Sequence, residues 1–214
     1  MKLALHNYWR SSASHRVRIG LHLKGLAYDY VAVNIVKREQ DADTYRARNA
    51  MGQVPTLEVT EDDGTVRQIA QSLPILEYLE ERWPEIPILP RDPYLRAKAR
   101  AIAEIVNSGI QPHQNLTTTN KVKSFGGDEK VWVQGFIKDG LVALAQAIAE
   151  TAGQFCIADA PTIADCFVIP QLASARRFGV DLSELPQLLS IEQHCLALPA
   201  FADAAPDRQP DAVK

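Results

Sequence analysis

The sequence predicts an α/β unit followed by an all-helical one. Three observations lead there. Residues 1–82 carry apolar patterns in the order strand, helix, strand, helix, strand, strand, helix. Trp83–Pro93 then holds four prolines in eleven residues, a stiff stretch that punctuates the chain. Beyond it, strand-like alternation disappears and longer helical patterns take over. The expected division is 1–82 for the first domain, 83–92 for the linker and 93–214 for the helical domain.

With 214 residues, 46% hydrophobic and 23% charged, the chain has the composition of an ordinary globular protein of one large or two small domains. A net charge of −3 provides no basis for a nucleic-acid partner. No apolar run is long enough to span a bilayer and no signal-like leader opens the chain, so a cytoplasmic protein with no membrane partner is expected. Cys156, Cys166 and Cys195 form neither a disulfide framework nor a zinc spacing. They are expected in the core, with no metal site.

Taking the elements in order, Lys2–His6 alternates and suits a strand. It leads into Tyr8–Leu23, where Ser11, Ser12 and Ser14 can each cap a helix. A helix N-terminus favours negative charge through its aligned dipoles and unpaired N–H donors. A thiolate is one anion it would hold, because such positions depress thiol pKa. No cysteine lies here, so a thiol at this turn must come from outside. Taken alone, the serines suit a plain solvated turn better. The helix itself is contested: Val17, Ile19, Leu21 and Leu23 alternate with Arg16, Arg18, Gly20 and His22, which is strand periodicity. The serine cap and the Val17–Leu21 spacing favour a helix.

Gly25 stands where a helix-ending glycine belongs. Tyr28–Val33 reads as a second strand, making a βαβ unit with a parallel pair. Lys37–Asn49 is polar and suits a short, mobile helix. Thr56–Val59 is a strand, and Pro55 before it marks a strand start or edge. A cis Val54–Pro55 bond would turn the N–H and C=O of Val54 toward a groove, where an extended peptide could add as a strand. An ordinary edge proline accounts for the residue as well. Asp63-Gly64 makes a hairpin turn to Val66–Ile69. Ser72 is then placed as an N-cap, with Pro74 in the first turn and Leu73, Ile75, Leu76, Tyr78 and Leu79 on the apolar face. Its free amides suit a carboxylate, although a capped helix alone explains the serine. This order is the thioredoxin-like arrangement. In the second half, Tyr94–Ile110 and Trp132–Thr151 read as helices. A further helix opens at Pro161–Asp165, with Thr162 and Asp165 spaced as a capping box. Together they predict an all-helical bundle.

The chain resembles the cytosolic glutathione transferases, and specifically their zeta class, the maleylacetoacetate and maleylpyruvate isomerases. The residues that carry the resemblance in the first half are Arg10-Ser11-Ser12-Ala13-Ser14-His15-Arg16-Val17-Arg18, Gln53-Val54-Pro55-Thr56-Leu57 and Gln71 to Leu79. In the second half they are Gly109-Ile110-Gln111-Pro112-His113-Gln114-Asn115-Leu116, Arg177-Phe178-Gly179-Val180-Asp181-Leu182 and Arg208-Gln209-Pro210-Asp211. The Val-Pro and Gln-Ser pairs are shared by many transferases; the serine turn with Arg-Val-Arg, Gly-Ile-Gln-Pro and Arg-Gln-Pro-Asp are far more specific. One position departs: eukaryotic members have Ser-Ser-Cys where this chain has Ser11-Ser12-Ala13, which puts side reactions on halogenated acids in doubt.

The resemblance implies the glutathione transferase fold, glutathione as cofactor and a homodimer. It implies that Gln71 and Ser72 receive the γ-glutamyl carboxylate, that Val54, beside Pro55, pairs with the peptide backbone, and that Ser11, with Ser12 and Ala13, faces the sulfur. Gln111 and Asn115 are implied as further contacts. The implied reaction is conversion of maleylpyruvate to fumarylpyruvate by thiolate addition, bond rotation and elimination, with Ser11 stabilising the thiolate. Arg10 and Arg177, with Arg176 as the alternative, are the candidates for gripping the small dicarboxylate substrate, since guanidinium binds carboxylate bidentately. A solvated surface charge is the competing reading for each arginine. Maleylacetoacetate is the alternative substrate; a non-catalytic glutathione-binding scaffold and a general conjugating transferase are the competing functions. A glutaredoxin-like role is disfavoured by the missing cysteine.

Overall fold

A computed structural model describes residues 1–213 of the chain. They form two compact units, one of Met1–Ile88 joined by the tail from Pro199 onward, the other of Leu89–Leu198.

In the first unit, β1 (Lys2–Asn7) leads through α1 (Ser12–Leu23) to β2 (Asp29–Ala32), which pairs with β1 in parallel. β3 (Thr56–Thr60) runs antiparallel on the other side of β1, and β4 (Val66–Ala70) antiparallel beside β3. The sheet order is β2-β1-β3-β4. The polar stretch between β2 and β3 holds a single 3₁₀ turn, Glu39–Asp41, and a short α2 (Asp43–Arg46). α3 (Ser72–Arg82) follows β4. This is the expected thioredoxin-like order. Of the two places expected for Pro55, a strand start or an edge, the structure takes the first: β3 is interior and begins at Thr56.

The strand periodicity of residues 17–23 does not prevail, and the reason is burial. Arg16 is 1% exposed and Arg18 0%, so the alternation of charged and apolar residues is not one of water and core. Gly20 permits close packing of α1 on α3, since a Cβ there would lie 2.2 Å from Leu76 Cδ2. At the end of α1, Gly25 takes φ 65°. Its N–H donates to His22 O at 3.0 Å and that of Leu26 donates to Leu21 O at 2.9 Å, closing the last turn as a left-handed residue does.

The expected boundaries move at two places. Lys24 Nζ is buried and donates to Glu80 Oε2 at 2.9 Å, Trp83 O at 2.8 Å and Ile86 O at 2.8 Å. Glu80 Oε2 also accepts from the Ile88 N–H at 2.9 Å. The first half of the proline-rich stretch is thereby fastened to the first unit and is not an independent linker. The tail, which the sequence reading grouped with the helices, also belongs to the first unit: α10 (Pro199–Ala202) packs on α1, and Arg18 Nε donates to Ala204 O at 3.0 Å.

The second unit contains no named strand among the described residues. α4 (Pro93–Glu104) is capped by Asp92, whose side chain accepts from Leu95 N–H at 2.9 Å. The helix expected to continue to Ile110 instead widens into a π-helix, Ile105–Ile110, before α5 (Gln111–Gln114). Pro112 has no N–H for the carbonyl four residues earlier, which interrupts the α-helical ladder there. α6 (Leu116–Ser124) and α7 (Glu129–Ile148) follow, α7 lying three residues earlier than expected at both ends because Asp128 caps it. α8 (Ile163–Arg177) opens with the expected capping box: Thr162 N–H donates to Asp165 Oδ2 at 2.7 Å and Ala164 N–H to Thr162 Oγ1 at 3.2 Å. α9 (Pro186–Leu196) closes the unit. Cys156, Cys166 and Cys195 are buried free thiols, as expected.

Candidate functional site

The turn from β1 into α1 places Ser11 at the N-cap, with extended backbone at φ −69° and ψ 119°. Its Oγ accepts from Ser14 N–H at 3.2 Å. The hydroxyl oxygen is thus used as the cap, and the hydroxyl proton remains available to an anion. Ser12 and Ala13 supply first-turn amides, which have no intrahelical acceptor. Ser14, buried, accepts weakly from Tyr8 N–H at 3.4 Å. No acidic residue occupies the first turn of α1. Arg10 is exposed beside this turn, its guanidinium 5.7 Å from the Trp9 ring centroid.

The Val54–Pro55 bond is cis. Neither the N–H nor the C=O of Val54 has a hydrogen-bond partner among the described residues. The segment is held from behind: Gln53 O accepts from Tyr45 Oη at 2.8 Å and from Asn49 Nδ2 at 2.7 Å.

At α3 the structure corrects the cap. Gln71, not Ser72, is the N-cap residue, and no side chain caps the helix. Gln71 sits at φ 72°, a left-handed conformation that costs a non-glycine residue about 1–3 kcal/mol and recurs at ligand sites. Its amide reaches Gln53 Oε1 at 3.5 Å. Ser72 lies inside the first turn and is 3% exposed; its hydroxyl accepts from Arg16 Nη1 at 3.1 Å instead of capping. With its oxygen engaged by a cation, the Ser72 hydroxyl has its proton to donate. The first turn of α3 also lacks an acidic residue.

Arg16 therefore ties the two helix N-termini together, a buried positive charge on α1 reaching into the first turn of α3. Sequence reasoning missed it, together with Tyr45 and Asn49. A signal was present: two arginines alternating with β-branched residues in what must be a helix leave too few apolar positions for an ordinary amphipathic face. The donors fit an extended peptide with a carboxylate at one end and a thiolate at the other. α3 amides and Ser72 suit the carboxylate, Val54 suits the peptide bond, and Ser11 with the α1 amides suits the thiolate.

His15 in the first unit and His113 in the second are both engaged in packing. His15 is buried, and its pKa is held well below 6.5, first by desolvation and then by the charges of Arg18 and Arg16. His113 stacks on Phe136 with ring centroids 3.5 Å apart.

The second unit holds the remaining candidates. Gln111 Nε2 donates to Asn115 Oδ1 at 3.0 Å, so these two residues act as a pair across α5. Arg176 makes a two-pronged ion pair with Glu192, Nη1 to Oε1 at 2.5 Å and Nη2 to Oε2. That pairing commits the Arg176 guanidinium to buried Glu192 within the helical unit. Arg177 is exposed at the end of α8, its guanidinium 4.6 Å from the Phe178 ring centroid.

Residues 10–82 match the family model for the glutathione S-transferase N-terminal domain. The chain is 45% identical to a zeta-class glutathione S-transferase of Euphorbia esula, covering 99% of this chain and 93% of that protein. It is 50% identical, with a TM-score of 0.92, to the crystal structure of a maleylacetoacetate isomerase of Anaeromyxobacter dehalogenans with glutathione in its active site, covering 99% and 98% of the two chains. A holo structure of a zeta-class bacterial maleylpyruvate isomerase aligns with a TM-score of 0.90 at 38% identity, over 98% of this chain and 100% of that one.

Proposed function

This chain belongs to the zeta class of the glutathione S-transferase family, and from that membership we propose a glutathione-dependent cis–trans isomerase converting maleylpyruvate to fumarylpyruvate. The observation that carries it is the pair of acid-free helix N-termini tied by buried Arg16, with the unpaired backbone of Val54 between β2 and α3 in sequence. These donors suit the carboxylate, peptide and sulfur of glutathione. When bound, glutathione supplies a thiolate that adds to the substrate double bond and leaves it after rotation. Ser11 donates its hydroxyl proton in a hydrogen bond to the sulfur and, with the α1 amides, favours the ionised form. Gln71 and Ser72 hold the γ-glutamyl carboxylate at α3. Arg10 and Arg177 grip the substrate carboxylates and the oxygen that gains charge. Gln111 and Asn115 are proposed as further glutathione contacts. We read the protein as a cytoplasmic homodimer.

Maleylacetoacetate is the second reading, favoured by the 50% identity to an enzyme so named. The two substrates differ by one methylene before the terminal carboxylate, which a pocket discriminates by about 1–3 kcal/mol. Measuring kcat/KM for both acids, with and without glutathione, tests the assignment. Maleylpyruvate is expected to be preferred by about tenfold or more, with no turnover when thiols are removed. Equal turnover without glutathione would refute the mechanism, and binding to immobilised glutathione without any isomerisation would establish the scaffold reading.

A further inference from the structure

We propose that Asp211 in the carboxyl-terminal tail and buried Arg18 on α1 form a clamp that positions the turn presenting Ser11. The inference rests on the reading of Ser11 as the thiolate-stabilising group, and it assigns a role to two motifs that the reaction described above leaves idle. These are the second arginine of Arg16-Val17-Arg18 and the aspartate of Arg208-Gln209-Pro210-Asp211.

The contacts converge on Tyr8 and Trp9, the residues just before Arg10 and Ser11. The Trp9 N–H donates to Asp211 Oδ2 at 3.2 Å, and the Tyr30 hydroxyl donates to Asp211 Oδ1. One carboxylate thus bridges the backbone of the turn and β2. Arg18 takes the carbonyl side of the same residue, Trp9. Its Nη2 donates to Trp9 O at 3.0 Å and its Nη1 to Tyr8 O at 3.4 Å and Asn7 Oδ1 at 3.0 Å. Its Nε donates to Ala204 O at 3.0 Å, so the same guanidinium also holds the chain that leads to the tail. The tail is anchored in turn by Gln209, whose Nε2 donates to Ala205 O at 2.7 Å and Asp203 O at 2.9 Å. Tyr8 O accepts from the Ser11 N–H as well, at 3.0 Å, so the clamp reaches the serine through a single shared carbonyl.

The backbone of Trp9 is therefore held at both its N–H and its C=O by groups outside any strand ladder. Burial moves the Arg18 pKa down to about 10, so the guanidinium stays charged at neutral pH. A loop free to move would have to be ordered each time a thiolate forms. A displacement of about 1 Å at a reacting group can cost 10²-fold in rate. The clamp removes that freedom in advance.

The test compares the full-length wild type with Asp211→Ala, Asp211→Asn, Tyr30→Phe and Ser11→Ala. The readouts are the pH titration of bound glutathione by thiolate absorbance, kcat and KM, amide exchange at Trp9, and thermal unfolding. Asp211→Ala is expected to raise the apparent pKa of the bound thiol, to speed Trp9 exchange and to lower kcat about tenfold, with little change in the glutathione KM. Asp211→Asn, which still accepts from Trp9 N–H and can donate to the Tyr30 oxygen, is expected to recover most of the rate. Wild-type titration and kcat in a folded Asp211→Ala protein overturn the clamp, as does an Asp211→Asn protein as impaired as the alanine variant. If Asp211→Ala does not fold, Tyr30→Phe decides, since it removes one anchor only: an intermediate loss supports the clamp and wild-type behaviour overturns it. Ser11→Ala separates this from the parent reading. An unshifted thiol titration in that variant refutes the role of Ser11, while the Asp211 variants still judge the clamp.

Discussion

Ser11 performs two hydrogen-bonding tasks with one hydroxyl: it accepts from Ser14 N–H and has a proton to give. The two tasks can be separated by substitution. Ser11→Ala is expected to lower kcat about 10²-fold and to cost about 1 kcal/mol of stability through the lost cap. Glycine is nearly as good at an N-cap, so Ser11→Gly is expected to lose the same activity but only a few tenths of a kcal/mol, about a third of the alanine cost. Thermal unfolding alongside the isomerisation assay checks the pair; retained activity in both variants would move the sulfur contact to Ser12 or Ser14. The two neighbouring arginines of α8 separate in the same way. Both are exposed, but Arg176 is ion-paired with buried Glu192, whereas the Arg177 guanidinium lies over the Phe178 ring. Arg177→Met is expected to raise KM most for dianionic substrates. Arg176→Met is expected to leave KM unchanged and to cost stability of about 1 kcal/mol, kept small because half its side chain is in water. Equal effects of Arg177→Met on monoanions and dianions would count against carboxylate recognition there.

At the scale of elements, Arg16 joins α1 to the first turn of α3 through the Ser72 hydroxyl. A charged donor on a buried hydroxyl is worth about 1.5–3 kcal/mol. Arg16→Met is therefore expected to raise the glutathione KM by about tenfold or more while changing kcat less. Unchanged glutathione binding in a folded variant would confine Arg16 to structure. The same arginine shows why part of the site was hidden in the sequence. The serine turn, Val54-Pro55 and the start of α3 were legible because caps, prolines and helix starts are local signals, whereas the choice of Ser11 and Gln71 came from the resemblance. Arg16 and Arg18 looked like the wet side of a strand, since periodicity assigns polar residues to water by default. Only packing on α3 and α10 shows them to be interior cations with carbonyl, amide and hydroxyl partners. The cap was displaced by one residue for the same reason: Ser72 has a better partner in Arg16 than in its own helix.

At the scale of the molecule, the first unit carries histidines that titrate against folding. His15 is held well below 6.5 by burial and by the adjacent arginines, and His6 and His22 are lowered chiefly by burial. On unfolding each regains its ordinary value near 6.5. Below that pH the unfolded chain binds protons that the folded one refuses, so stability is full above about 6.5 and falls as the pH drops through it. Urea midpoints measured from neutral pH down to about 5 are expected to decline, and His15→Gln is expected to flatten the decline. A flat wild-type profile would contradict this. The tail also belongs to this scale. Residues beyond Pro199 complete the α/β unit, because Arg18 and the Trp9 amide take their partners from there.

By itself the sequence determined the order of strands and helices in residues 1–82, the capping box at Thr162, the left-handed Gly25 and the serine cap of α1. All of these arise from backbone geometry and short-range hydrogen bonding, which neighbouring residues specify. Tertiary structure alone decided that Arg16, Arg18 and Lys24 are buried, that Arg176 is paired with Glu192, and that the tail returns to the first unit. Each of these depends on a partner between 16 and 202 positions away along the chain. A buried cation is tolerated only where such partners replace its lost hydration, and which residues supply them is a property of the folded chain.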